Sequence, residues 1–172
     1  SAIGIARWEV ELVGKEATVD FNVLQLGNTT QHLSTLVNIH HQAPHTQSNQ
    51  LIKQIIADHA QGVIDATVNV SAQGAGTVAH QLCRSLLLSD EAKAKVHVKP
   101  QLEIYIDDLE ASHGASVGQL DENELFYLMS RGFSEAEASA LLKGAFIREV
   151  VKKIPKEHLG FLQRWVPEVA EV

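Results

Sequence analysis

The residues with most chemistry to offer are nine histidines and one cysteine. His113 leads them. It follows a strand-like run, Leu102 to Leu109, and sits in Ser112-His113-Gly114-Ala115, where small neighbours leave its imidazole uncovered. Another chain or a metal can therefore approach it, and neutral imidazole is a competent ligand for iron. A strand-end histidine also has a purely structural reading, as a buried hydrogen-bonding residue, and both readings stand at this point. His40, His41 and His45 look like a second metal cluster. An i,i+4 histidine pair binds zinc when a helix puts both rings on one face, but Pro44 directly precedes His45 and disfavours helix there. A solvated corner between strands is the expectation for this segment.

Cys83 lies in Gln81-Leu-Cys-Arg-Ser-Leu-Leu-Leu88, whose apolar flanks predict burial and an inert thiol, although Arg84 would lower its pKa if it were exposed. A lone cysteine rules out an internal disulfide and fits a reducing, cytoplasmic setting. It also falls short of the cysteine set that normally holds an iron-sulfur cluster, so a cluster bound here would need ligands from another subunit.

Two further patterns carry less. Asp107, Asp108 and Glu110 suggest acid/base catalysis, yet adjacent strand residues point to opposite faces, so Asp107 and Asp108 cannot converge without a bulge. With Glu103 they read as edge charges and turn formers. Gly74-Ala-Gly76-Thr-Val-Ala79 matches the loose dinucleotide fingerprint, G-x-G-x-x-A, but the chain before Leu86 is too short for a βαβ unit of roughly 30 residues. A glycine-bearing corner is the expected role. No phosphate-binding G-x-x-x-x-G-K-[ST] occurs, so the chain is not an ATPase by itself. Without converging carboxylates it does not read as a carbohydrate-active enzyme either.

These residues need elements to hold them. Alternating segments such as Arg7 to Val13, Ala17 to Leu24 and Val63 to Val70 are strand signals separated by polar or glycine-bearing turns. No helices intervene, so the sheet is either antiparallel or a coil of short parallel rungs, and periodicity alone does not choose. From Asp121 the pattern becomes helical. Asp121 and Glu124 predict a capping box ahead of Leu125, Leu128 and Met129, with Gly132 as the stop. Ser134 and Glu137 repeat the box, opening a helix with Leu142, Phe146 and Val150 a turn apart, until Pro155 ends it. A third helix is expected from Lys156 to Val166, with a frayed tail after Pro167. The expected division is a β region over 1–120 and a helical region over 121–172.

The 172 residues suffice for a buried core, and 45% apolar with 5% aromatic content suits a core of Val, Ile, Leu and Ala. A net charge of -7 leaves no basic face for phosphates, which argues against nucleic-acid binding. No apolar run approaches the roughly 20 residues of a membrane-spanning helix, so no membrane partner is expected.

Three motifs in order, Pro100-x-Leu-Glu-Ile-x-x-Asp-Asp108, Ser112-His-Gly-Ala-x-Val-Gly118 and Phe126-Tyr-Leu-x-Ser-Arg-Gly132, resemble the C-terminal part of the SufB/SufD family, scaffold subunits for iron-sulfur cluster assembly. The context of His113 resembles the SufD-like type, although Ala111 stands where many such chains have cysteine. The resemblance implies a right-handed parallel β-helix portion followed by a small C-terminal helical region. It also implies a scaffold rather than an enzyme, with a SufB-like subunit and a SufC-like ABC ATPase as partners. A transient cluster would be shared with the partner subunit, no cofactor being held by this chain alone. His113 is then the candidate cluster-assembly and metal residue, and Leu102, Ile104, Ile106, Phe126, Tyr127, Arg131, Gly132 and Phe146 are candidate partner contacts. The resemblance covers only the last part of the family plan, so an excised fragment with an apolar first rung near Ile3 to Val13 is expected, and a homodimer when the partner is missing. The rival is a structural interaction domain with no role at a cluster site.

Overall fold

The computed structural model describes residues 2–89 and 93–163. The chain divides into two compact units, Ser1–Gly118 and Gln119–Val172. The first holds strands β1 (Ile3–Leu12), β2 (Thr18–Gly27), β3 (His32–His41), β4 (Gln47–Ile56), β5 (Gln61–Val70), β6 (Thr77–Leu87), β7 (Lys95–Ile104) and β8 (Leu109–Gln119). Consecutive strands lie in different sheets, one ordered β1-β3-β5-β7 and the other β2-β4-β6-β8. β1–β3, β2–β4, β3–β5, β4–β6 and β5–β7 pair in parallel, with Ile3 opposite His32, Gln47 opposite Val78 and Gln61 opposite Lys95. This is a parallel β-solenoid, each turn laying one strand in each sheet.

Alternation along each strand decides which side chains enter the space between the sheets. Leu12, Val37, Ile39, Ile52, Ile64, Ala66 and Cys83 form one buried cluster, with Trp8 and Phe21 packed against it edge to face at 6.2 Å. Stacking places like next to like: Val23, Ile52 and Cys83 succeed one another on neighbouring rungs. The interior also carries amides. Gln25 Nε2 donates to Gln54 Oε1 at 3.0 Å, and Gln54 Nε2 donates to the Ser85 hydroxyl at 2.8 Å, with partners 29 and 31 residues apart.

Corners repeat as the strands do. Glu16, His45 and Gly76 occupy successive turns, all with left-handed backbone, at φ of 62°, 58° and 69°. The His45 N–H donates to Ala75 O and the Gly76 N–H to Asp108 O, so each corner hangs on the next. A Cβ at Gly76 would collide with the His45 ring unless that ring moved, and the left-handed backbone there also favours glycine. The Gly74-Ala-Gly76 pattern is thus a solenoid corner, as its length had suggested.

His41 departs from expectation. Instead of lying on a solvated corner it is fully buried, with Nδ1 hydrogen-bonded to Thr46 Oγ1 at 2.8 Å and Nε2 to Ser48 Oγ at 2.9 Å. Its position in β3 points it inward with Val37 and Ile39, and the hydroxyls of the adjoining corner satisfy both nitrogens. His40 points outward and pairs with Glu9 at 2.6 Å. Burial lowers the His41 pKa from 6.5 to about 4. The unfolded chain binds this proton below pH 6.5 and the folded chain does not, so stability should fall as pH drops from about 6.5 to about 4. The loss should approach roughly 3 kcal/mol. Urea midpoints at pH 7 and 4.5 check this: wild type should lose much more than His41→Gln, and equal losses would exclude His41 as the cause.

The run Leu102 to Leu109 is not one strand. β7 ends at Ile104, residues 105–108 turn, and β8 begins at Leu109. The Tyr105 N–H donates to Val70 O, and Leu109 N–H to Asp107 O, which fastens the corner at both ends. Alternating apolar residues survive a corner in a solenoid because both arms face the same interior, so the pattern reads as continuous.

The second unit contains α1 (Glu122–Ser130), α2 (Glu135–Val151) and α3 (Lys156–Gln163). Asp121 Oδ1 accepts from the Asn123 and Glu124 amides, capping α1. Ser134 and Glu137 make the reciprocal box that opens α2. Gly132, at φ 100°, lets the chain leave α1. The expected end of the third helix at Val166 and the tail after Pro167 lie outside the described residues.

Candidate functional site

His113 sits in β8, the last strand of its sheet among the described residues, and is exposed. Two contacts fix how β8 lies against β6. His80 Nδ1 and Ser112 Oγ are hydrogen-bonded at 2.8 Å, and a Cβ on Gly114 would meet Leu82 Cδ1 at 3.3 Å. His113 therefore stands opposite Gln81, on the same face as Ala111, which packs against buried Val68, Val70 and Ala79. It belongs to the interior column of the solenoid at its final rung, where no further rung among those described covers it.

On the outer face, His80 also approaches Glu110 at 3.8 Å, so Ser112, His80 and Glu110 form a row across two strands. Asp107 and Asp108 stand apart from that row: their carbonyls accept the corner hydrogen bonds. Among the described residues, no group of three or more His, Cys, Asp or Glu is placed to hold a metal ion. Cys83 is fully buried, and burial pushes its thiol up to about 11, so it stays protonated and poorly nucleophilic near neutral pH.

The candidate partner residues separate by environment. Leu102 and Ile106 pack into the last core cluster, whereas Ile104 is 41% exposed. Phe126 and Tyr127 of α1 are 74% and 56% exposed, and Arg131 Cζ lies 5.1 Å from the Tyr127 ring centroid. Gly132 is exposed and Phe146 is half-buried in α2. At the other end of the solenoid, Ile3, Ile5 and Val13 are exposed. Sequence reasoning missed Gln50 and Gln81, both 3% exposed. Their signal was the near-30-residue repeat, which stacks them directly above the position of His113.

Fold and site together define a parallel β-solenoid protein that ends its coil on an exposed histidine. The chain belongs to the SufBD family: the family model described as "SUF system FeS cluster assembly, SufBD core domain" matches residues 1–146. It is 35% identical over 155 residues to an iron-sulfur cluster assembly SufBD family protein of Synechocystis sp., covering 88% of this chain and 33% of that protein. It is 33% identical over 149 residues to the iron-sulfur cluster assembly protein SufD of Escherichia coli, covering 87% and 35% respectively. Similarity to the chloroplastic protein ABCI7 of Arabidopsis thaliana is 36% over 169 residues, covering 88% and 34%. The chain thus spans about a third of the length of these relatives. No described helix is long and apolar enough to cross a membrane.

Proposed function

We propose that this chain is the C-terminal part of a SufD-like scaffold subunit that pairs with a SufB-like subunit and docks a SufC-like ABC ATPase in the cytoplasm. The observation that carries the reading is His113, exposed on the last rung of the coil. An end strand offers unpaired backbone groups to a second chain, and the same edge would bring that chain's ligands to the imidazole. The nascent iron-sulfur cluster is cargo, held between the subunits, and His113 supplies one neutral nitrogen to it. The scaffold contributes position rather than a catalytic centre of its own. In the partner's absence the same edge would pair with a second copy, giving a homodimer.

The helical unit supports the ATPase contact through Phe126, Tyr127, Met129 and Phe133, all exposed. Exposed aromatics on capped, rigid helices are suitable anchors for a protein interface. Co-expression of the full-length protein with SufB-like and SufC-like subunits, purified through a tag on this chain, tests the assignment. Both partners should be recovered together. Recovery of neither would return the chain to a structural interaction domain.

A further inference from the structure

We infer that Gln81 is a positioning residue for His113: its Oε1, unpartnered with the His113 ring in its exposed position, accepts one imidazole N–H when that ring turns inward, which leaves the other nitrogen's lone pair free at the open end of the coil. The inference rests on the proposed role of His113 and adds a named residue to it. Gln81 is 3% exposed, and its Nε2 donates to Gln50 Oε1 at 3.2 Å and to Ala66 O at 3.1 Å. The Ala66 carbonyl can only accept, which settles which Gln81 amide atom is nitrogen. Among the described residues, Gln81 Oε1 is buried with no hydrogen-bond partner.

A carboxamide whose nitrogen serves one neighbouring rung turns its oxygen toward the other. Gln50 occupies the rung on one side, in register with Gln81. The rung on the other side is β8, where the His80–Ser112 bond and the Leu82–Gly114 approach bracket a single pair, Gln81 and His113. Strands in register are about 4.8 Å apart, which brings an imidazole N–H within reach of that oxygen. The neighbouring interior residue, Ala111, has no polar side-chain atom to compete. A buried acceptor needs a donor, and His113 is the interior residue of that rung that carries one.

Holding one N–H fixes the tautomer, and an acceptor behind the ring raises the donor strength of the other nitrogen. Gln81 thus turns a lone surface histidine into an oriented ligand. The test uses the full-length protein labelled at its histidine ring nitrogens, with the His113 signals assigned by their loss in His113→Ala. Wild type should show one protonated and one unprotonated ring nitrogen at His113. Gln81→Met keeps the length and volume but removes the acceptor, and should give averaged signals from exchanging tautomers. In the complete complex it should lower cluster assembly about tenfold or more without changing partner recovery. Unchanged ring-nitrogen signals in a folded Gln81→Met variant would overturn the inference. Averaged signals together with full activity in His113→Ala would support the contact and overturn the functional reading instead.

Discussion

Replacing His113 by alanine should lower cluster assembly by the complete complex about tenfold or more, with partner recovery unchanged. The two readouts separate because His113 is exposed on the end rung. Its removal takes nothing from the buried apolar clusters and costs only the donor to the Gln81 oxygen, about 1–3 kcal/mol. The His80–Ser112 bond remains to hold β8 against β6. What disappears is a neutral nitrogen donor at the place where the proposed partner would lie. Full assembly activity in a correctly assembled His113→Ala complex would remove the site while leaving the scaffold assignment standing.

The second large effect is on the fold. Ile52→Ala should destabilise the protein by about 2–5 kcal/mol, in the upper part of that range. Ile52 is fully buried, and its rung neighbours are Val23 on one side and Cys83 on the other. Across the core stand Ile64 and Ala66. Small side chains have little reach to refill a vacated volume, and parallel ladders on both sides hold the strands at fixed spacing, so the cavity should persist. Ile52→Val should cost only about 0.5–1.5 kcal/mol. Urea denaturation would show a lowered midpoint for Ile52→Ala with an unchanged slope. A loss below about 1 kcal/mol would mean that the rungs relax more freely than a hydrogen-bonded solenoid should.

Strand positions were legible because alternation is a property of one chain: Val63 to Val70 reads as a strand and lies within β5. Helix starts were equally legible, since Asp121 and Ser134 act through neighbours in sequence. Pairing was not. Alternation is the same for parallel and antiparallel partners, and the family resemblance supplied the choice. The corner at 105–108 was hidden because apolar residues continue through it. His41 was misjudged because its sequence neighbours are polar, whereas its burial comes from Thr46 and Ser48 folding back over it. Gln50 and Gln81 escaped notice for the converse reason: glutamines are ordinarily surface residues, and only stacking reveals them as interior.

The turns differ in length although the ladders do not. Residues that meet on adjacent rungs are 29 apart at Gln25 and Gln54, 31 apart at Gln54 and Ser85, and 34 apart at Asn69 and Glu103. The strands themselves stay at 10 or 11 residues, so every additional residue is taken up in the corners. Register is therefore insulated from loop length, and insertions or deletions at a corner can accumulate without moving an interior side chain to the wrong face. A coil built this way can vary its outline among relatives while keeping the same column of residues leading to its end.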